Sequence, residues 1–283
     1  MAEQSFRDLK RSALQKYFNK MNSQQKKAVF TVNGPVLVLA GAGSGKTTVI
    51  VNRIANMINF GDAYHGDAYH NETSKASEDE INFLSDYIDG KTDDIAKLKD
   101  IIAVSPVKPW NILAITFTNK AAGELRTRLS NILGEDDARE INAATFHSAC
   151  VRILRREIDK LGYSNSFTIY DSDDSQRVIK SCLSDLNVSE QQFPPKAILS
   201  GISKAKDNML FPEDIEASVG GDFRKSIISK VYTEYQKRLK NSNALDFDDI
   251  IMLTVQLFID FPDVLEYYQN RYRYILVDEY QDT

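Results

Sequence analysis

Residues 35–40 read Pro-Val-Leu-Val-Leu-Ala and lead into Gly41-Ala42-Gly43-Ser44-Gly45-Lys46-Thr47-Thr48, followed by apolar Ile50, Ile54, Met57 and Ile58 at helical spacing. An apolar strand, a glycine loop and an amphipathic helix in that order leave few folds open. Small residues let successive backbone NH groups curl around phosphate oxygens, and the helix that follows adds the positive end of its dipole. Lys46 suits the β and γ phosphates of a nucleotide, and the Thr47 hydroxyl suits Mg²⁺. The phosphate-binding stretch is therefore Ala40, Gly41, Ala42, Gly43, Ser44, Gly45, Lys46, Thr47 and Thr48, with Ala40 standing where the pattern has glycine.

The far end of the chain carries the matching chemistry. Ile275-Leu276-Val277 runs into Asp278 and Glu279, two carboxylates at the end of an apolar strand. A nucleotide-bound Mg²⁺ takes hard oxygen ligands and usually one or two protein carboxylates, a role that suits Asp278. Glu279 beside it suits the activation of the water that attacks the γ-phosphate. An Asp-Glu pair alone is weak evidence, and beside a phosphate loop it is strong.

Between these ends, short apolar runs alternate with amphipathic helices, the pattern of an α/β fold with a parallel sheet covered on both faces. The expected strands are 35–40, 112–117, 141–146 and 274–279. Residues 160 to about 240 read as successive helices, so a helical subdomain is inserted in the α/β domain. The expected division is 1–150 for the first part of the nucleotide domain, 151–240 for the helical subdomain and 241–283 for the return. Within the first part, residues 61–105 read as a partly disordered surface insertion that opens with the tandem GDAYHGDAYH.

Charge is unevenly spread. The net charge is −5, yet residues 61–100 alone hold eleven acids against four lysines, and the rest of the chain sums to about +2. The overall sign thus does not exclude a nucleic-acid partner. Two cysteines in 283 residues give no disulfide framework, and no run reaches the roughly 18 apolar residues of a membrane span. A cytoplasmic setting without membrane attachment is expected.

The motifs MNSQQ (21–25), AGAGSGKTT (40–48), AITFTNKAA (114–122), ATFHSACVRILRR (144–156), LDFDD (245–249) and ILVDEYQDT (275–283) occur in the order seen in superfamily 1A DNA helicases. The chain resembles the amino-terminal half of that family's PcrA/UvrD/Rep-like group. The resemblance implies a P-loop NTPase (RecA-like) fold, with ATP and Mg²⁺ as cofactors, and 3′ to 5′ unwinding in DNA repair or replication. It implies that Gln25 recognises adenine, that Lys46, Thr47, Asp278 and Glu279 act as above, and that Gln281 stands near the γ-phosphate and helps couple hydrolysis to DNA. Thr116, Phe117, Thr118, Asn119 and Lys120, with Thr145, Phe146 and His147, match the group's single-strand contacts.

The helix start at 118–120 suits phosphate contacts and Phe117 suits base stacking, although core packing explains a phenylalanine equally well. Arg152, Arg155 and Arg156 suit either a nucleic-acid track or an ordinary solvated face. In LDFDD, Asp246 reads as a helix N-cap with Asp249 at the third helical position. Where the group carries arginine, this chain has Thr48, and the 61–105 insertion has no counterpart in its familiar members. The expected partners are single-stranded DNA and duplex junctions. The second motor domain, with the arginines it brings to the γ-phosphate, is expected beyond these residues, so little turnover is expected from them alone. Two readings stay open: a nucleotide-regulated DNA- or partner-binding module, and the helicase part of a nuclease-helicase subunit. A P-loop phosphotransferase is disfavoured, because no acceptor lid or second basic cluster follows the loop.

Overall fold

The computed structural model describes residues 6–41, 43–66 and 76–282. Its elements in chain order are α1 (Phe6–Tyr17), α2 (Ser23–Phe30), α3 (Lys46–Asn59), α4 (Glu78–Asp89), α5 (Ile95–Ile102), β1 (Ile112–Thr116), α6 (Asn119–Leu133), α7 (Glu135–Glu140), β2 (Asn142–Thr145) and α8 (Phe146–Glu157). Then follow β3 (Thr168–Ile169), α9 (Ser172–Asp185), α10 (Pro195–Asp207), α11 (Pro212–Ala217), α12 (Phe223–Asn241), β4 (Ala244–Leu245), α13 (Phe247–Asp260), α14 (Pro262–Arg271) and β5 (Tyr274–Val277). The chain divides into two compact units, Met1–Thr145 with Asn270–Thr283, and Phe146–Gln269.

The first unit is α/β. Its sheet has the order β2-β1-β5, and both pairings are parallel, with Ala114 opposite Ala143 on one side and Leu276 on the other. Parallel neighbours require crossovers, and α6 and α7 carry the chain from β1 to β2. Val51, Ile54 and Met57 of α3, Leu125 and Leu129 of α6, and Ile112 and Ala114 of β1 are buried in one cluster beneath this sheet. Three of the four expected strands thus form, each within two residues of its expected bounds.

The fourth does not, and that expectation is corrected. Residues 35–40 join no ladder, and Leu37 and Leu39 are 70% and 86% exposed. An apolar run of this kind marks a strand covered on both faces, but a strand exists only where a neighbour receives its backbone hydrogen bonds. Among the described residues the sheet ends at β5.

The insertion also departs from expectation. Residues 67–75, including His70 and all of the second half of the tandem repeat except Gly66, lie outside the described residues. Its later part is no peripheral loop: Phe83, Leu84 and Tyr87 of α4 and Leu98 and Ile102 of α5 are buried in a core shared with Leu9, Ala13 and Leu14 of α1. Four cations of α1 are spent on carbonyls of this segment. Arg7 donates to His65, Lys10 to Gly66 and Arg11 to Tyr64, while Lys16 reaches Tyr87 and Ile88 at the end of α4. The stem closes where Gly61 bridges Val104; at φ +59° a Cβ there would sit 2.0 Å from the Val104 carbonyl oxygen, so only glycine fits.

The second unit is helical, with the two-residue parallel pair β3-β4. Ile179, Leu183, Ile202, Val231, Tyr235 and Leu239 centre its core. Asp246 caps α13 and Asp249 returns the bond, the capping box read from LDFDD. What sequence spacing does not show is Lys206, buried on α10, whose Nζ lies 2.6 Å from Asp246 and 2.7 Å from Asp249.

Candidate functional site

Gly45, at φ +87°, ends the loop and lets α3 begin at Lys46, so the residues that follow it project from a helix N-terminus. From there Thr47 Oγ1 lies 3.2 Å from Asp278 Oδ2, and Lys46 Nζ lies 3.6 Å from Glu279 Oε2. The two ends of the chain, 231 residues apart, meet at one place. β5 brings Asp278 there: its backbone NH extends the ladder by donating to the Ile115 carbonyl at 2.8 Å. At Glu279 the chain turns through φ +52°, a left-handed conformation unusual for a non-glycine residue, and such outliers cluster at functional sites. The Gln281 amide donates to the Glu279 carboxylate, and this bond, opposed by desolvation and aided by Lys46 nearby, holds the carboxyl below the usual range.

The loop folds on itself through Ser44, whose hydroxyl donates to the Gly41 carbonyl at 2.7 Å, while Lys46 reaches the Ala40 carbonyl at 3.4 Å. Ala42 lies outside the described residues, and Thr48 continues α3, with its carbonyl accepting from Asn52. Gln25 approaches the same loop from α2: its amide donates to the Ser44 carbonyl at 3.0 Å, and its oxygen accepts from the Asn22 NH at 3.1 Å in a capping box. The Thr47 hydroxyl and the Asp278 carboxylate form a pair of hard oxygens, a donor set that fits Mg²⁺.

The residues matched to single-strand contacts divide by exposure. Phe117 is 64% exposed, so of its two readings core packing is excluded, and Asn119 and Lys120 are exposed beside it. Thr116 is buried and donates to the Thr118 carbonyl, while the Thr118 hydroxyl caps α6 by accepting from the Ala121 NH. Both hydroxyls therefore have local structural employment. Thr145 ends β2 in the first unit, and Phe146 and His147 begin α8 in the second, all half-buried. Sequence reading missed Phe247, which is 55% exposed with its ring 5.2 Å from that of His147. The available signal was its position just after the Asp246 N-cap, at four-residue spacing from Ile251, Val255 and Ile259, which are exposed as well.

The arginines of α8 have partners within their own unit. Arg155 lies 3.8 Å from the Phe167 ring centroid and donates to the Asn165 carbonyl; Arg156 stacks on Tyr267 and pairs with Glu157 at 2.9 Å. Arg152 donates to the Ser148 carbonyl. This favours the solvated-face reading over a nucleic-acid track.

A family model described as the UvrD/REP helicase N-terminal domain matches residues 21–66 and 89–283. The ATP-dependent DNA helicase PcrA of Bacillus subtilis is 42% identical over 263 residues, which cover 93% of this chain and 29% of that protein. PcrA of Staphylococcus epidermidis is 41% identical over 93% of this chain and 30% of its own length, and PcrA of Leuconostoc citreum 41% over 94% and 29%. The chain thus spans about 30% of the length of these curated relatives. The family match omits α1 and nearly all of α4, the two helices that pack together in the first unit.

Proposed function

The chain belongs to the UvrD/REP helicase N-terminal domain family, and from that premise we propose that it forms the ATP- and single-stranded-DNA-binding part of an ATP-dependent DNA helicase that moves 3′ to 5′ along one strand. The observation that carries the reading is the convergence of Thr47 on Asp278 and of Lys46 on Glu279 at the phosphate loop. Loop NH groups and Lys46 hold the triphosphate, and the Gln25 amide, with one donor face and one acceptor face, reads the adenine edge. Thr47 and Asp278 would hold Mg²⁺, which when bound neutralises developing charge on the phosphates. Lys46 stands 3.6 Å from Glu279, and phosphates bound at the loop would draw its ammonium away from that carboxylate. That exchange frees the Glu279 carboxylate to orient the attacking water, with Gln281 already hydrogen-bonded to it. Phe117 offers a face for a base, and Lys120 offers a charge for the backbone beside it.

These 283 residues alone turn over ATP slowly. Phosphoryl transfer in such motors draws on an arginine supplied from across a cleft, worth roughly 10³–10⁵ in rate. Lys46 is the cation that the described site brings to the phosphates. Steady-state ATPase with single-stranded DNA checks this, and robust stimulated turnover by this chain would overturn it.

The reading as a whole is tested by oligonucleotide binding with and without a nonhydrolysable ATP analogue. A motor component couples the two ligands, so the analogue should shift single-strand affinity by roughly 5-fold or more, and Lys46→Ala should abolish the shift. Absence of any coupling in the unmodified chain would sink the motor reading and leave a simple binding module.

A further inference from the structure

The helix that presents Gln25 is short. Eight residues of α2 are marginal as an isolated helix, so its position depends on what holds its ends. The N-terminal end is satisfied locally by the box between Asn22 and Gln25. The C-terminal end leaves carbonyls without helical partners, and these are met by two residues of the phosphate-loop helix. Arg53 Nη1 donates to the Ala28 carbonyl at 2.5 Å and also to that of Thr31, Arg53 Nη2 donates to Val32 at 3.1 Å, and Asn56 Nδ2 donates to Val29 at 3.3 Å. One guanidinium thus spans three carbonyls of the α2 terminus, a fork that lysine cannot reproduce.

Arg53 lies on α3 less than two turns beyond Lys46 and Thr47. The same rigid helix therefore carries the phosphate-binding residues at its start and the grip on α2 farther along. At the other end of α2, Gln25 rests against the loop itself: its Nε2 would stand 3.0 Å from a Cβ at Gly45, and it donates to Ser44. The distance between the base-reading amide and the triphosphate cradle is set by these two attachments. Burial pushes the Arg53 guanidinium down from its usual value, although it stays a cation whose partners here are backbone dipoles.

We propose that Arg53 is a positioning residue for base recognition, which holds the α2 helix in register with the phosphate loop so that Gln25 meets the edge of adenine. The inference rests on the reading of Gln25 as the base reader. Loss of the grip lets α2 shift against α3 and weakens contacts to the base, while the phosphate cradle, built from the loop and the start of α3, keeps its affinity. A merely structural arginine would lower stability without changing which base is preferred.

The experiment measures affinities of the whole chain for ATP, GTP and inorganic tripolyphosphate, for the unmodified protein, Arg53→Met, Arg53→Lys and Gln25→Ala, each checked by thermal melting. Arg53→Met should weaken ATP about tenfold, leave tripolyphosphate within about twofold, and bring the ATP to GTP ratio close to that of Gln25→Ala. Arg53→Lys should give an intermediate ratio, and it decides the matter if the methionine variant does not fold. A ratio unchanged in the folded Arg53 variants but collapsed in Gln25→Ala overturns the inference. A ratio unmoved in Gln25→Ala overturns the reading of Gln25, and this inference with it.

Discussion

At residue scale the second unit holds an unusual burden, two carboxylates and one ammonium enclosed together. Lys206 and Asp249 are almost wholly buried; the Tyr235 hydroxyl donates to Asp246 and the Gln236 amide to Asp249, both at 2.9 Å. Burial would lower the Lys206 ammonium, but its two carboxylates outweigh that and raise it. One lysine cannot fully compensate two acids. Burial, reinforced by Asp246, pushes the Asp249 carboxyl up to about 6, while for Asp246 burial is outweighed by Lys206, which holds that carboxyl below its ordinary value. Removing one partner of such a group leaves an uncompensated charge, so Lys206→Met should cost about 3–5 kcal/mol in urea denaturation at neutral pH. The sign for Asp249 follows from linkage: a carboxyl raised in the folded state adds stability below about pH 4, and that stability is lost as pH rises through about 6. Relative to Asp249→Asn, the unmodified chain should therefore weaken between those values. A difference that stays flat across that window would contradict the assignment.

Among the elements, local pattern and tertiary context part company at two places. The loop, α3 and the Asp246 cap were legible because each is decided within a few residues: glycine at a left-handed turn, a side-chain oxygen over a helix start, apolar spacing along one face. The run at 35–40 was misread for the opposite reason, since nothing within it reports whether a neighbouring strand lies alongside. Hydrogen exchange should find the amides of 36–40 unprotected and those of Leu113 to Ile115, paired on both sides, strongly protected. The pairing of α1 with α4 was also invisible, because it joins segments some seventy residues apart. Lys16 of α1 lies over the Tyr87 ring of α4, and the shared core is filled by further rings, with Tyr17 edge-on to Phe60 at 5.0 Å, Phe18 against Phe30, and Tyr64 stacked on Phe30 at 4.3 Å. Phe18→Ala should cost about 3–5 kcal/mol locally and release protection in α4, while β1 keeps its own. Equal loss in both elements would mean that the α1 core is not a separate cooperative region.

Over the whole molecule, charge placement bears on the proposed contact with single-stranded DNA. The acids are concentrated in 61–100 and the α8 arginines are occupied within their own unit, whereas Lys120 is exposed beside Phe117. If the proposed single-strand contact is made, Lys120→Ala should reduce the slope of log affinity against log salt by about 0.7 to 1. Among the described residues no helix is long and apolar enough to cross a membrane. By itself the sequence determined the α/β class, the glycine turn that opens α3, the acidic pair at the end of β5 and the family, because these depend on residue types at fixed short spacings. Tertiary structure alone decided that Thr47 meets Asp278 across the length of the chain, that Lys206 pairs with Asp246 and Asp249, that α1 seats against the insertion, and that Phe117 faces outward. Those facts depend on which distant groups share a desolvated space, and spacing along a chain carries no measure of that.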